Sequence, residues 1–239
     1  MEIYVGTSGW IYSSWNPEGS LDWYIKNSSL NSVELNMSFY RFPFPSMVSS
    51  WAGKTKSLNP GLRWAVKVNR FITHVFKFSE KAFLSWRKFE NLFKPLSENI
   101  DFYLFQLPPS LKSSYAPKLE KFIKQTELKE RFALEVRNLD WFSEKWIMWA
   151  SSLEITWVSI DAPDFTGFPR DVYCSNGVVY LRMHGRTYWY SHYYTDEELK
   201  EVKGRILRLK PRRIYIFFNN NTNMLRNAQT MLSLLRNNT

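Results

Sequence analysis

The sequence predicts a single (β/α)₈ barrel, the TIM-barrel form of the α/β class, over residues 1–239, and three observations carry that expectation. The 239 residues match the length usual for one such barrel. Eight short apolar runs alternate with helix-patterned stretches, which argues for a parallel sheet. The polar exceptions within those runs cluster at their C-terminal ends, the side on which barrel enzymes place their chemistry.

The runs cover residues 3–7, 32–36, 64–69, 102–106, 132–137, 157–161, 178–184 and 214–219. Helix candidates follow seven of them, at 21–29, 46–57, 79–94, 115–127, 143–152, 195–209 and 222–236. Two have clear start signals. Ser79-Glu80 opens an amphipathic stretch, and Thr195 with Glu198 has the spacing of a capping box. The sixth connection, residues 162–177, carries Pro163, Gly167 and Pro169 and should be irregular rather than helical. A doubly wound open sheet is the competing architecture, but it announces itself with a glycine-rich first turn. Gly6-Thr7-Ser8-Gly9 is too short for that, so the eight units should close on themselves.

Composition narrows the class. Hydrophobic residues at 44% and charged residues at 23% suit a chain with one large core. Aromatics reach 18%, with 11 Trp, and their even spread assigns most of them to packing and leaves some to wall a pocket. No run of about 18 apolar residues exists, so no membrane span is expected. A single cysteine, Cys174, excludes an internal disulfide and a Cys-based zinc site. The first residues read as a strand with no leader pattern, which makes the cytoplasm the expected location. A net charge of +10 favours anionic partners, nucleic acid among them, by long-range attraction. The basic residues are nevertheless dispersed, as in Lys121, Lys124 and Arg131, and form no basic tail.

A buried parallel strand should be apolar on both faces. Here strict alternation groups Ser32, Glu34 and Asn36 on one face of the second run. It groups Ala65, Lys67 and Asn69 in the third, Ala133, Glu135 and Arg137 in the fifth, and Tyr180, Arg182 and His184 in the seventh. The fourth run ends in Gln106, the sixth in Asp161 and the eighth in Asn219-Asn220. The apolar face should pack on the helices, so the polar face should point into the barrel. Buried charges are costly unless paired or used. Pairs such as Glu34 with Lys67, or Glu135 with Arg182, would explain part of this ring as structure. A whole ring of converging charges is better explained by a site.

These segments also carry a family resemblance. GTSGWIYSSW, SVELNMSFYRFP, WAVKVNRFITH, LFQLPPS, FALEVRNLDWF, SIDAP, YLRMHGR, YTDEELKEV and IFFNNN resemble, in order, the motif series of the domain of unknown function 72, or YecE-like, family. The resemblance implies a TIM barrel and no particular reaction. It implies Glu34, Asn36, Lys67, His74, Gln106, Glu135, Arg137, Asp161, Arg182, His184, Arg186, Asn219 and Asn220 as motif residues. The sequence departs from the family at Asn16-Pro17-Glu18-Gly19, where a glycine is usual just after the tryptophan, and at Met37, where a small hydroxyl residue is more common.

Four chemistries compete for the ring. The first is metal-independent, hydrolase-like acid–base work on an anionic or sugar-like molecule. Glu34 and Glu135 would flank the substrate and His184 would shuttle a proton, with Lys67 and Asp161 completing the catalytic set. Arg137, Arg182 and Arg186 would hold a phosphate or carboxylate, and Ser8, Asn36, Gln106, Asn219 and Asn220 would add hydrogen bonds. In the second, Lys67 is a Schiff-base nucleophile; simple neutralisation of Glu34 or Glu135 by Lys67 is the stronger expectation. A metal on Glu34, Glu135, Asp161 and His184 is the third and weakest, because three cations share the ring; no resident metal or cofactor is expected, and Mg²⁺ bridging a bound phosphate stays open. The fourth is a nucleic-acid binder, nuclease or repair factor, using Trp10, Trp15, Tyr40, Phe42, Trp141 and Trp189 for stacking. His74 could orient a loop by hydrogen bonding as easily as act in catalysis, His192 is expected to be a loop or interface residue, and Cys174 to be inert.

Overall fold

Strands β1 (Glu2–Ser8), β2 (Ser32–Leu35), β3 (Arg63–Lys67), β4 (Ile100–Gln106), β5 (Phe132–Glu135), β6 (Thr156–Asp161), β7 (Val178–Met183) and β8 (Arg213–Phe218) pair in chain order, all parallel. Pairing of β1 with β8, from Glu2 opposite Arg213 to Thr7 opposite Phe218, closes the barrel. The computed structural model describes residues 1–237. Around the barrel lie α1 (Leu21–Asn27), α2 (Met37–Tyr40), α3 (Pro45–Leu58), α4 (Glu80–Leu92), α5 (Ala116–Thr126), α6 (Glu144–Ser152), α7 (Asp196–Arg208) and α8 (Met224–Arg236).

Local chemistry accounts for the helix starts. Ser79 Oγ accepts the Ala82 N–H at 3.4 Å and opens α4. Thr195 and Glu198 form the reciprocal capping box at the start of α7. Between β6 and β7 the only helical element is one 3₁₀ turn, Asp164–Thr166, as Pro163, Gly167 and Pro169 require. The elements not foreseen include the single-turn α2 and a π-helical turn at Phe71–Val75. Both follow strand ends and shape the mouth.

The alternation of each strand splits the apolar residues into two cores. Val33, Val66, Leu134, Leu181 and Ile216 face the helices, together with buried Trp10, Trp51, Trp64, Trp86, Trp141 and Trp157. Most of the tryptophan content is therefore packing. Phe102, Leu104, Tyr180, Tyr215 and Phe217 fill the barrel itself. Phe102 meets Tyr180 edge-on at 5.2 Å and Tyr215 at 4.7 Å. Such contacts are worth about 0.5–1.5 kcal/mol beyond burial, and Phe102→Ala should cost about 3–5 kcal/mol by leaving a cavity between them. This aromatic plug closes the interior. Above it, at the C-terminal strand ends, the inward side chains become polar.

Candidate functional site

Strand β7 sends Tyr180 and Arg182 inward, and His184 continues the alternation one residue past its end. The fully buried Arg182 guanidinium lies between two carboxylates. It donates to Glu34 through Nε (2.9 Å) and Nη2 (2.7 Å), and to Glu135 through Nη1 (2.5 Å). Glu34 also accepts from Ser8 Oγ, its register neighbour on β1, at 2.6 Å and from the Tyr180 hydroxyl at 2.7 Å. Glu135 accepts from Gln106 Nε2, its register neighbour on β4, at 3.0 Å, and from Arg137 through Nε and Nη2. Asn36 Oδ1 completes the set by accepting from Arg182 at 3.4 Å.

Electrostatics follow from this geometry. Burial alone would raise the Glu135 carboxyl, but Arg137, Arg182 and Lys67 outweigh it and hold it at about 2. Burial would also lower Arg182, yet Glu135 and Glu34 push it above its ordinary value. The two carboxylates thus bracket a guanidinium and leave no open space between them for a substrate.

Lys67 differs from the sequence expectation. It reaches neither Glu34 nor Glu135, because Arg182 and Arg137 already occupy them. Among the described residues its Nζ has no hydrogen-bond or ion-pair partner, and it sits over the Phe39 ring, 4.3 Å from the centroid. Lys67 is 9% exposed. Burial, then the Arg182 charge, bring its amine down to about 7, with Glu135 and Glu34 pulling the other way.

His184 is buried between cations. Arg137 Nη2 donates to its Nε2 at 2.9 Å, and the Asn219 amide lies 3.2 Å from Nδ1. Burial, then Arg137, Arg182 and Lys67, hold its pKa well below the ordinary value. The turn after it requires glycine: Gly185 has φ +107°, and a Cβ there would lie 2.7 Å from the Tyr188 carbonyl oxygen. That turn brings Trp189 beneath the Arg137 guanidinium, 4.8 Å from the ring centroid.

Beside this network a cleft of about 360 Å³ is lined by His74, Gln106, Leu107, Arg137, Phe168 and Trp189 among others. A smaller hollow of about 160 Å³ adjoins Ser8, Tyr12, Leu35 and Asn36. His74 belongs to the π-helical turn and bonds Thr73 Oγ1 through Nδ1 at 2.7 Å. Burial, Lys67 and Arg70 depress it to about 4. Such turns often mark functional sites, and the sequence leaves His74 open between orienting the loop and catalysis. Phe39, which faces both Lys67 and His74, was missed altogether. Its signal was the aromatic cluster Phe39-Tyr40 directly after β2.

Three expected ring members stand apart. Asp161 shares its strand face with Trp157 and Ser159, opposite the inward Val158, and so points out of the barrel. It accepts from Tyr194 Oη at 2.7 Å and pairs with Arg186 at 3.1 Å. Arg186 also holds Glu201 at 2.8 Å, and burial of this arginine is outweighed by Asp161 and Glu201, which raise it. Asn220 donates to the His192 carbonyl at 2.7 Å and to Asn227 Oδ1 at 2.8 Å. His192 in turn pairs with Glu198 at 3.0 Å. This second network ties the β7–α7 loop to α7 and α8. The four residues considered for a metal therefore do not converge, and among the described residues no group of three or more His, Cys, Asp or Glu could hold one. Nor, among them, is any helix long and apolar enough to cross a membrane.

A closed parallel barrel of eight strands, plugged by aromatics and crowned by charged side chains, makes the molecule a TIM-barrel protein. Within that class, residues 4–239 match the model for "Protein of unknown function DUF72", and the chain belongs to that family. It is similar to the crystal structure of a DUF72 family protein from Thermotoga maritima, with 26% identity, a TM-score of 0.81, and coverage of 99% of this chain and 100% of that one. A DUF72 family protein from Enterococcus faecalis shares 21% identity at a TM-score of 0.79, with 98% of each chain covered. D-psicose 3-epimerase from Clostridium cellulolyticum, solved with D-tagatose, shares the fold alone, at 11% identity, a TM-score of 0.59 and 99% of each chain. No curated protein sequence matches the chain.

Proposed function

We propose that the barrel mouth performs metal-independent acid–base chemistry, hydrolase-like or lyase-like, on a small anionic or polyhydroxylated molecule. Lys67 exchanges the proton. One observation carries this reading: the Lys67 amine sits in the ring with neither a hydrogen-bond nor an ion-pair partner among the described residues. Both carboxylates are saturated by donors, and His184 accepts from Arg137, so each is committed within the network. An amine brought near neutrality is suited to proton transfer at ordinary pH. Lys67, Arg137 and Arg182 outnumber Glu34 and Glu135 when the amine is protonated, so an anion would complete the balance. Gln106, Arg137 and His74 line the adjoining cleft and would supply its hydrogen bonds. The carboxylate oxygens a divalent ion would need are bonded to guanidinium groups.

The test is a thermal-shift panel of sugar phosphates, sugar acids and short carboxylates on the wild type and Lys67→Met. A ligand a hundredfold above its Kd stabilises by about 2.7 kcal/mol, which is readily seen. A stabilisation that Lys67→Met abolishes supports the reading. Ligands that stabilise both proteins equally, or none that stabilise the wild type, count against it.

A second reading, nucleic-acid binding or processing, is favoured by the loops after β2 and β3. Residues 35–79 contain no Asp or Glu. Exposed Tyr40, Phe42, Phe44 and Phe71 lie there beside exposed Arg41, Arg70 and Lys77. Stacking rings with cations suit a single strand, whose binding should weaken steeply with salt. Salt-tolerant binding of small molecules together with no oligonucleotide response would reject it.

A further inference from the structure

We propose that the Lys67 amine is a covalent nucleophile, and that the molecule taken by the mouth is an aldehyde or ketone bearing an anionic group. The inference rests on the reading that a small anion binds there, and specifies its reactive group. Three observations support it. A lysine present to neutralise buried acid would bond to it, yet Arg182 and Arg137 take the oxygens of Glu34 and Glu135 and leave Nζ without a hydrogen-bond or ion-pair partner among the described residues. The amine is nearly buried and sits close to the Arg182 and Arg137 charges, surroundings that favour its uncharged, nucleophilic form. Lys67 also retains 9% exposure at the C-terminal end of β3, on the side where the barrel opens.

The chemistry balances without an oxidant or reductant. The Nζ lone pair forms the C–N bond as the carbonyl π bond breaks; nitrogen gives up one of its two N–H protons to solvent and the carbonyl oxygen takes one up, giving the neutral carbinolamine with no net proton consumed. A second proton lets that hydroxyl leave as water while nitrogen forms the C=N bond. The resulting iminium carries the same charge as the ammonium it replaces. Burial, Arg182 and Arg137 oppose that charge as they oppose the ammonium, Glu135 and Glu34 partly offset them, and the anionic group of the bound molecule would supply the remaining balance.

The test is reductive trapping on the intact protein. Pyruvate, glyoxylate and glyceraldehyde 3-phosphate are each incubated with the wild type and Lys67→Arg in cyanoborohydride at pH 7, followed by peptide mapping. The expected result is a mass gain equal to the carbonyl compound less one oxygen, on Lys67, with at least one of the three. Labelling should exceed that of any surface lysine by about tenfold or more, since a lysine amine of ordinary pKa is well under one per cent uncharged at that pH. Lys67→Arg keeps the charge and should lose only this adduct, with folding checked by its melting temperature. Lactate and glycerol 3-phosphate, which have no carbonyl to condense, are run in parallel by thermal shift. If these stabilise the wild type while Lys67 stays unmodified by all three carbonyl compounds, the covalent role is overturned and the anion site stands. If nothing binds and nothing is trapped, both fall.

Discussion

Arg137 donates from Nη2 to Nε2 of His184 across 2.9 Å. A guanidinium has no acceptor, so Nε2 must accept, and the neutral ring carries its proton on Nδ1. The Asn219 Nδ2 lies 3.2 Å from Nδ1, and a half-turn of that amide would bring its oxygen to accept the Nδ1–H. His184 is thereby fixed in one tautomer and kept uncharged. The expected outcome, checked by NMR of the imidazole, is no titration of His184 between pH 5 and 8, where histidines ordinarily change charge. Arg137→Met should move its midpoint up toward the ordinary 6.5.

The Glu135 carboxyl is held at about 2 against an ordinary 4.5. The unfolded chain takes up a proton near 4.5 while the folded chain does not. The corresponding stability is fully present above 4.5 and is lost as pH falls toward 2. Glu135→Gln should therefore lose stability at pH 7, by about 3–5 kcal/mol if it behaves as other buried pairs stripped of one partner. Its deficit should shrink across the acid range. Urea denaturation from pH 7 to 2 measures both.

Lys67 has the opposite sign. Its folded value of about 7 lies below the ordinary 10.5, so between those values the unfolded chain binds more protons and stability rises with pH. Below 7 the full penalty of burying the cation is paid. Lys67→Met should raise the melting temperature at pH 7 and below, by roughly 2–4 °C per kcal/mol relieved, while losing ligand response. The gain should vanish toward pH 10.5. Calorimetry across that range tests it.

Asp161 anchors Arg186 and Tyr194 outside the barrel. Asp161→Ala leaves the nearly buried Arg186 with only the more exposed Glu198 and Glu201. The loss should approach the roughly 3–5 kcal/mol of a broken buried pair. Any ligand-induced stabilisation found for the wild type should persist in the variant. If that stabilisation disappears while the fold survives, Asp161 belongs to the mouth after all.

Strand positions and inward faces were legible because a period of two is a local property of each strand. It put Glu34, Lys67, Glu135, Arg137, Arg182 and His184 on inward faces, and the structure keeps them there. Asp161 departs from the expectation because polarity at a strand end does not by itself fix the face. Its parity matches Trp157 and Ser159, and that outer face is polar because the irregular sixth connection, not a helix, covers it. Ser159 Oγ accepts the Tyr173 N–H at 2.8 Å, and Ser175 Oγ the Trp157 N–H at 3.0 Å. The pairing scheme was not legible. Glu34 and Arg182 are 148 residues apart, and only barrel closure decides that Arg182, rather than Lys67, lies between the two carboxylates.

The reactivity of the mouth turns on the titration of Lys67 itself, followed by NMR in protein with labelled lysine side chains and assigned by the signal missing from Lys67→Arg. The midpoint expected is near 7, well below the ordinary 10.5 of a lysine amine. A midpoint at the ordinary 10.5 would mean that the amine is solvated or paired after all, and would contradict the assignment of Lys67 as the reactive group of the mouth.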